Sequence, residues 1–135
     1  MIVLDCSAAI EITHGTKEGT ALRNIMLEGE RVIAPTFFQV EVRNAFWKYV
    51  HAQLLSIENA RSSVRIAIKY VDEFIPLETN IDESFKEAMR CNHPVYDMLY
   101  LTLARRNAAT LLTCDRKLQK LCDDLGVDYV HSVSL

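Results

Sequence analysis

The stretch "DMLYLTLARRNAATLLTCDRKLQKLCDDLG" (residues 97–126) decides the fold, because a helical pattern, a short strand pattern and a second helical pattern follow one another within it. The first helix is predicted over Asp97 to Asn107, the strand over Thr110 to Thr113, and the second helix over Arg116 to Leu125. Gly126 then provides a helix stop. A strand enclosed by helices in this way favours a parallel sheet whose faces are covered by helices.

The same alternation runs through the rest of the chain. Further strands are predicted at Ile2 to Leu4, Arg31 to Ala34, Phe74 to Leu77 and Asp128 to Val130, and further helices at Ser7 to Thr13, Thr16 to Glu28, Thr36 to His51, Ile57 to Asp72 and Ile81 to Cys91. We therefore predict an α/β fold in one domain over residues 1–135. Its central parallel sheet of four to five short strands has helices on both faces, as a Rossmann-like three-layer sandwich.

Composition limits the class of protein. Half of the 135 residues are apolar and the net charge is −3, which is typical of a globular chain. No apolar run approaches the ~20 residues needed to cross a bilayer, and no secretory leader precedes the first strand, so we predict a cytoplasmic protein without membrane contact. The four cysteines form no CxxC pair and no zinc spacing, and the four histidines, His14, His51, His93 and His131, have no spacing that links them to a nucleophile.

Two acids follow predicted strands directly. Asp5 comes after the first strand in "VLDCS", and Asp115 comes after the fourth in "LLTCD". Ligands of open α/β sheets bind beyond the carboxyl ends of the strands, so both acids stand where chemistry is expected. Each has an alternative explanation as a helix N-cap.

Two further acids lie on inward faces of predicted helices. At about 100° per residue, Glu41 falls on the same face as Phe38 and Ala45, and Asp97 falls on the face of Leu101 and Ala104. An isolated carboxylate on such a face costs several kcal/mol unless it is paired or ligated. Glu41 could instead lie at the edge of the apolar face and extend its carboxylate into water. Asp97 could instead be placed in the first helical turn because the helix dipole favours an acid there.

Together the four acids predict a cation site. Like charges ~5 Å apart repel by roughly 3 kcal/mol at an effective dielectric constant near 20, so converging carboxylates need a counter-charge. An all-oxygen ligand set favours Mg²⁺ or Mn²⁺, and such ions suit phosphodiester hydrolysis. The negative net charge argues against nucleic-acid binding, but this objection weakens if the four acids are neutralised in one cluster.

The residues also resemble a known family. The segments "IVLDCSAAIEI", "APTFFQVEVRNAFWK", "HPVYDMLYLTLARRNAATLLTCDRKLQKL" and "LGVDYV" are similar, in order and spacing, to the PIN domain, and in particular to VapC-type toxins of toxin-antitoxin pairs.

This resemblance implies that Asp5, Glu41, Asp97 and Asp115 form the Mg²⁺ or Mn²⁺ site of an endoribonuclease. It places Ser7 and Thr113 as hydroxyls beside the metal or the scissile phosphate, and Asn44 in the motif that contains Glu41. It further implies an RNA substrate, a VapB-type antitoxin whose tail occupies the active-site groove, and a homodimer or toxin-antitoxin hetero-oligomer.

Several alternatives stay open at this point. A haloacid-dehalogenase-type phosphatase also begins with an aspartate at a strand end, but it requires a second acid where this chain has Ser7. A catalytically silent α/β interaction module has no need for converging carboxylates. Arg116 could track an RNA backbone or belong to a solvated basic face. Trp47 is predicted to lie in the core, with a dimer contact as the alternative.

Overall fold

The structure, a computed structural model, describes residues 1–130 of the chain. Within this range the chain forms five β-strands and seven α-helices. In chain order they are β1 (Ile2–Leu4), α1 (Cys6–His14), α2 (Lys17–Met26), β2 (Val32–Pro35), α3 (Phe37–His51), α4 (Ile57–Lys69), β3 (Glu73–Ile75), α5 (Ile81–Cys91), α6 (Val95–Arg106), β4 (Thr110–Leu112), α7 (Arg116–Leu125) and β5 (Tyr129–Val130).

The five strands form one sheet in the order β3-β2-β1-β4-β5. All neighbouring strands are parallel, and Val3 of the central strand pairs with Ile33 of β2 on one side and Leu111 of β4 on the other. A backbone hydrogen bond of 3.1 Å from Asp5 N to Leu112 O continues the pairing of β1 with β4 beyond the end of β1. The predicted parallel sheet is therefore confirmed, with five strands.

The helices form two packed groups. Helices α1 to α4 contact one another, and α6 contacts α5 and α7. Because crossovers between parallel strands are right-handed, these two groups lie on opposite faces of the sheet. Strand β1 is buried on both faces, and α6 is buried from Met98 to Ala104 where it packs on β1, β2 and β4. The predicted three-layer sandwich is confirmed.

Local sequence explains how several elements end. Gly126 adopts φ +70° and caps α7, as predicted. Helix α2 instead ends at Met26, before the predicted end at Glu28. Strand β3 ends at Ile75 rather than Leu77, because Pro76 has no N–H for the ladder and a short 3-10 turn follows it.

One glycine is fixed by a close approach of two helices. A Cβ atom at Gly19 would lie 1.9 Å from the carbonyl oxygen of Glu11. Helix α2 can therefore pack on the end of α1 only because residue 19 has no side chain.

Two further observations bear on the sequence predictions. Within residues 1–130, no helix has the length and apolar character needed to cross a bilayer. Trp47 is 58% exposed, so the prediction that it lies in the core was wrong, whereas its neighbour Phe46 is buried.

Candidate active site

The carboxyl edge of β1 and β4 is the point where the strand order reverses. The chain runs from β1 to β2 and β3 on one side of the sheet and then to β4 and β5 on the other. In open α/β sheets this position forms the ligand crevice. Asp5 is the first residue after β1, and Asp115 lies three residues after the end of β4, so both are at this edge, as predicted.

Asp5 is a helix cap and a buried acid at once. Its Oδ1 accepts hydrogen bonds from Ser7 Oγ (2.8 Å) and from the Ala8 amide (2.9 Å), which caps α1. The residue is only 4% exposed. Burial raises the pKa of Asp5 to about 7; the hydroxyls of Thr113 and Ser7 and the Ala8 amide lower it, and the charge of Glu41 raises it. Capping explains the position of Asp5 but not its burial.

Two hydroxyls join the ends of β1 and β4. Ser7 Oγ lies 3.3 Å from Thr113 Oγ1 and accepts a hydrogen bond from the Cys114 amide (2.9 Å). Thr113 Oγ1 accepts one from the Asp115 amide (3.1 Å). The two side chains therefore hold Asp5 and the backbone of Asp115 at a common edge.

Glu41 is held by a tyrosine that the sequence did not single out. It projects from α3, and its Oε1 accepts a 2.5 Å hydrogen bond from the hydroxyl of Tyr100 on α6. Tyr100 is 1% exposed. Burial raises the pKa of Glu41, the Tyr100 hydrogen bond lowers it, and the charges of Asp97 and Asp115 raise it again. The predicted inward face of Glu41 is confirmed.

Asp97 has a histidine partner. A 2.7 Å hydrogen bond joins its Oδ2 to His93 Nε2, with the two side chains 27% and 15% exposed. His93 lies four residues before Asp97 and two residues before α6 begins. Asp97 is therefore half-buried, and His93 is locally hydrogen-bonded to it.

Asp115 caps α7. Its Oδ1 accepts from the amides of Lys117 (2.9 Å) and Leu118 (3.3 Å), so the capping explanation is correct for its position. The next residue, Arg116, is exposed and lines a polar cavity of about 650 Å³ together with Gln119 and Lys120.

The four acids share one electrostatic field, but they do not meet in a ligand cluster. The charges of Asp97 and Asp115 raise the pKa of Glu41, and the charge of Glu41 raises the pKa of Asp5. Among the side chains of residues 1–130, however, no three His, Cys, Asp or Glu are close enough together to hold a metal ion. In this structure the four carboxylates therefore stand apart, and each of them accepts a hydrogen bond from a protein group; that they form one cation site stays a prediction.

The missed residues could be found only in part from sequence. Tyr100 falls in the otherwise apolar core face of α6, where a buried hydroxyl needs a partner, but the sequence does not say which one. His93 stands only four residues before Asp97, so proximity in sequence could have suggested the pair, although residue 93 lies outside α6.

The donor set suits a hard divalent cation. The acids and hydroxyls at this edge offer only oxygen ligands, which Mg²⁺ and Mn²⁺ prefer. For Glu41, Asp97 and Asp115, the second carboxylate oxygen accepts no hydrogen bond from any residue in the described range. These oxygens remain available to a cation, so the chemistry of the donors suits such an ion, although their spacing in this structure is wider than ligand distance.

Comparison with known proteins agrees with this architecture. The PIN domain family model matches residues 2–124. Ribonuclease VapC12 of Mycobacterium tuberculosis, from strains CDC 1551 and H37Rv, is 36% identical over 118 residues, which cover 87% of this chain and 89% of the relative.

Two solved structures share the fold. VapBC2 from Rickettsia felis, bound to a DNA fragment from its promoter, has a TM-score of 0.68 at 15% identity, covering 98% of this chain and 100% of that one. PAE2754 from Pyrobaculum aerophilum has a TM-score of 0.65 at 23% identity, covering 88% and 84%. The family match excludes the phosphatase alternative, and the chain belongs to the PIN domain family, among its VapC-type members.

Proposed function

We propose that the protein is a Mg²⁺- or Mn²⁺-dependent endoribonuclease and the toxin of a VapBC-type pair. The observation that carries the proposal is a buried aspartate at the switch point of a PIN fold, Asp5, whose pKa is raised by the charge of Glu41, which in turn is influenced by the charges of Asp97 and Asp115. A relative named as a ribonuclease, similar over most of both chains, supports the same activity.

Asp5, Glu41, Asp97 and Asp115 are the residues that would hold the cation. When bound, it would supply the positive charge that stabilises the attacking and leaving oxygens of a phosphodiester. Asp5 would gain from such a charge, because ionised Asp5 is desolvated and stands near another carboxylate. We expect Asp5 and Asp97 to be the principal ligands, with Glu41 and Asp115 completing the ring.

The other site residues orient these acids. The Tyr100 hydroxyl fixes one oxygen of Glu41, and His93 fixes one oxygen of Asp97. Each carboxylate thereby presents its second oxygen, with less rotamer entropy to lose on binding. Ser7 and Thr113, linked at 3.3 Å, hold Asp5 at the same edge, because both hydroxyls hydrogen-bond to its carboxylate.

We further propose a VapB-type antitoxin as partner, and a homodimer or toxin-antitoxin hetero-oligomer in the cytoplasm. An apolar groove of about 630 Å³ between α3 and α4, lined by Trp47, Val50 and Val64, is rimmed by three arginines: Arg43, Arg61 and Arg65. An amphipathic helix with acidic flanks matches this combination of apolar floor and positive rim. Charge reversal of Arg61 and Arg65 should weaken such a complex in a pull-down, and unchanged retention of the antitoxin would argue against this surface.

The decisive experiment is cleavage of RNA by partner-free protein. Purified protein is incubated with total RNA and Mg²⁺ or Mn²⁺, with and without EDTA, and the ends are mapped. We expect cuts at defined sites with 5′-phosphate and 3′-hydroxyl ends, which EDTA abolishes and which folded Asp97→Asn does not produce. Full activity of Asp97→Asn would remove the proposed site, and absence of cleavage by the wild type would favour the silent interaction module.

A further inference from the structure

A groove of about 550 Å³ runs alongside α3 and opens onto the candidate active site. Its lining includes Ser7 and Glu41 together with Asn44, Lys48 and Tyr49 of α3. Because Ser7 and Glu41 belong both to the groove and to the active site, a chain lying in the groove reaches the acids directly.

Lys48 is the cation on this face of α3. It follows Glu41 by seven residues and Asn44 by four, which places the three on one side of the helix. At 1.5 Å per residue, Lys48 lies about 10 Å from Glu41 along the helix axis. It is exposed, and no carboxylate in the described part of the chain forms an ion pair with it.

A substrate that is itself a polyanion needs such a cation. Four acids at the sheet edge repel an approaching phosphodiester backbone, and an unpaired ammonium beside them offsets that repulsion. Lysine binds phosphate as a flexible point charge, and phosphate contacts fix the register of a nucleic acid on a protein. The rival cation, Arg116, lines a separate cavity that contains neither Ser7 nor Glu41.

We infer that the groove along α3 seats the RNA strand beside the scissile bond, and that Lys48 binds a flanking backbone phosphate. This inference rests on the proposed ribonuclease function and adds the path of the substrate. Lys48 holds the strand in register and takes no part in bond cleavage. Its loss therefore changes binding of RNA rather than the chemical step.

The test compares Lys48→Ala with Lys86→Ala, a matched control on α5, in the helix group on the opposite face of the sheet. Steady-state cleavage of a single-stranded RNA oligonucleotide is measured with Mg²⁺, and binding of the same oligonucleotide is measured in EDTA over a range of salt concentrations. For Lys48→Ala we expect KM to rise about 5–10-fold with kcat unchanged. The slope of log K against log salt should fall by about 0.7, the value for one lost contact on a single strand.

Lys48→Arg separates the charge from the shape of the side chain, because it keeps the cation and should restore both KM and the salt slope. If Lys48→Ala behaves like Lys86→Ala, or if it lowers kcat at constant KM, the assignment of Lys48 is wrong. If the wild type cleaves RNA and Lys48→Ala gives either of these two results, only the inferred RNA path along α3 is rejected, and the ribonuclease function stands. RNA binding through Lys48 without any cleavage overturns the nuclease function and leaves the groove standing, and absence of both overturns both.

Discussion

Replacing Asp5 with asparagine should stabilise the metal-free protein at neutral pH while removing its activity. The side chain is 4% exposed, and burial raises its pKa from an ordinary 3.8 to about 7. Asparagine keeps the shape of the side chain and an oxygen that can accept from Ser7 and the Ala8 amide. What it removes is the charge that burial penalises.

The magnitude follows from the pKa. Each pKa unit corresponds to about 1.4 kcal/mol, so ionised Asp5 costs about 4 kcal/mol of folding free energy once the pH exceeds both values. The folded state binds the proton more tightly than the unfolded state, and so the wild type loses stability as the pH rises from about 4 to about 7. This loss is a large fraction of the 5–15 kcal/mol that a typical domain has in total.

The assay is urea unfolding in EDTA at several pH values between 4 and 8, for the wild type, Asp5→Asn and the control Asp124→Asn. The advantage of Asp5→Asn over the wild type should grow by about 4 kcal/mol across this range, and Asp124→Asn should follow the wild type. Adding Mn²⁺ at 100 times its dissociation constant should return about 2.7 kcal/mol to the wild type and much less to Asp5→Asn. Parallel stability curves for wild type and Asp5→Asn would refute the claim that a buried charge at this position strains the fold.

Four further predictions address individual contacts. Tyr100→Phe removes the hydrogen-bond donor to Glu41, and a hydrogen bond to a charged group contributes about 1.5–3 kcal/mol. The variant should therefore bind Mn²⁺ more weakly in titrations followed by thermal shift. The control variant Tyr70→Phe should bind Mn²⁺ as the wild type does. The hydrogen bond from Arg90 is the main cause that lowers the pKa of Glu87. Ionised Glu87 therefore stabilises the folded wild type, and this contribution should be lost as the pH falls through the folded-state pKa. In urea unfolding, the free energy of unfolding should decrease less between pH 7 and pH 3 for Glu87→Gln than for the wild type. Gly19→Ala places a Cβ against the Glu11 carbonyl and should lower the free energy of unfolding by at least about 3 kcal/mol. The control variant Thr20→Ala, at an exposed neighbouring position, should lower it far less. Equal melting temperatures for the two variants would contradict the close approach of α2 to α1. Asp115→Ser keeps an N-cap residue and Asp115→Ala does not, so only the alanine variant should lose about 1 kcal/mol of stability. Both variants should lose RNA cleavage. If Asp115→Ser still cleaves RNA, the role of Asp115 is limited to capping α7.

The sheet and its strand ends could be predicted because their signals are local. Short β-branched and aliphatic runs between helical patterns gave all five strands, with bounds that differ from the structure by at most two residues. The error at β3 arose where Pro76 ends the ladder. Trp47 was placed in the core by hydrophobicity alone, although it lies 58% exposed beside the apolar groove of α3 and α4.

The contacts within the site could not be predicted, because they depend on distances between elements. The inward faces of Glu41 and Asp97 follow from helical periodicity, but the partners do not. Residue 100 stands 59 positions from Glu41, and only the packing of α6 against the sheet brings its hydroxyl to the carboxylate. The capping rule did predict the amide hydrogen bonds of Asp5 and Asp115, but no local signal predicted the contact of Glu41 with Tyr100.

The two strand-end acids show why capping and catalysis were hard to separate, since both residues satisfy the capping rule in full. Asp5 and Asp115 each accept amide hydrogen bonds at the start of a helix, α1 and α7 respectively. A helix N-terminus carries partial positive charge, which favours the ionised form of a carboxylate, so the caps reduce the repulsion among the acids before any cation binds. For Asp5 this help is insufficient, because desolvation still dominates its pKa. The fold therefore tolerates the acidic edge without metal, but at Asp5 it leaves a desolvation cost that a bound cation can offset, and a cap alone does not explain this cost.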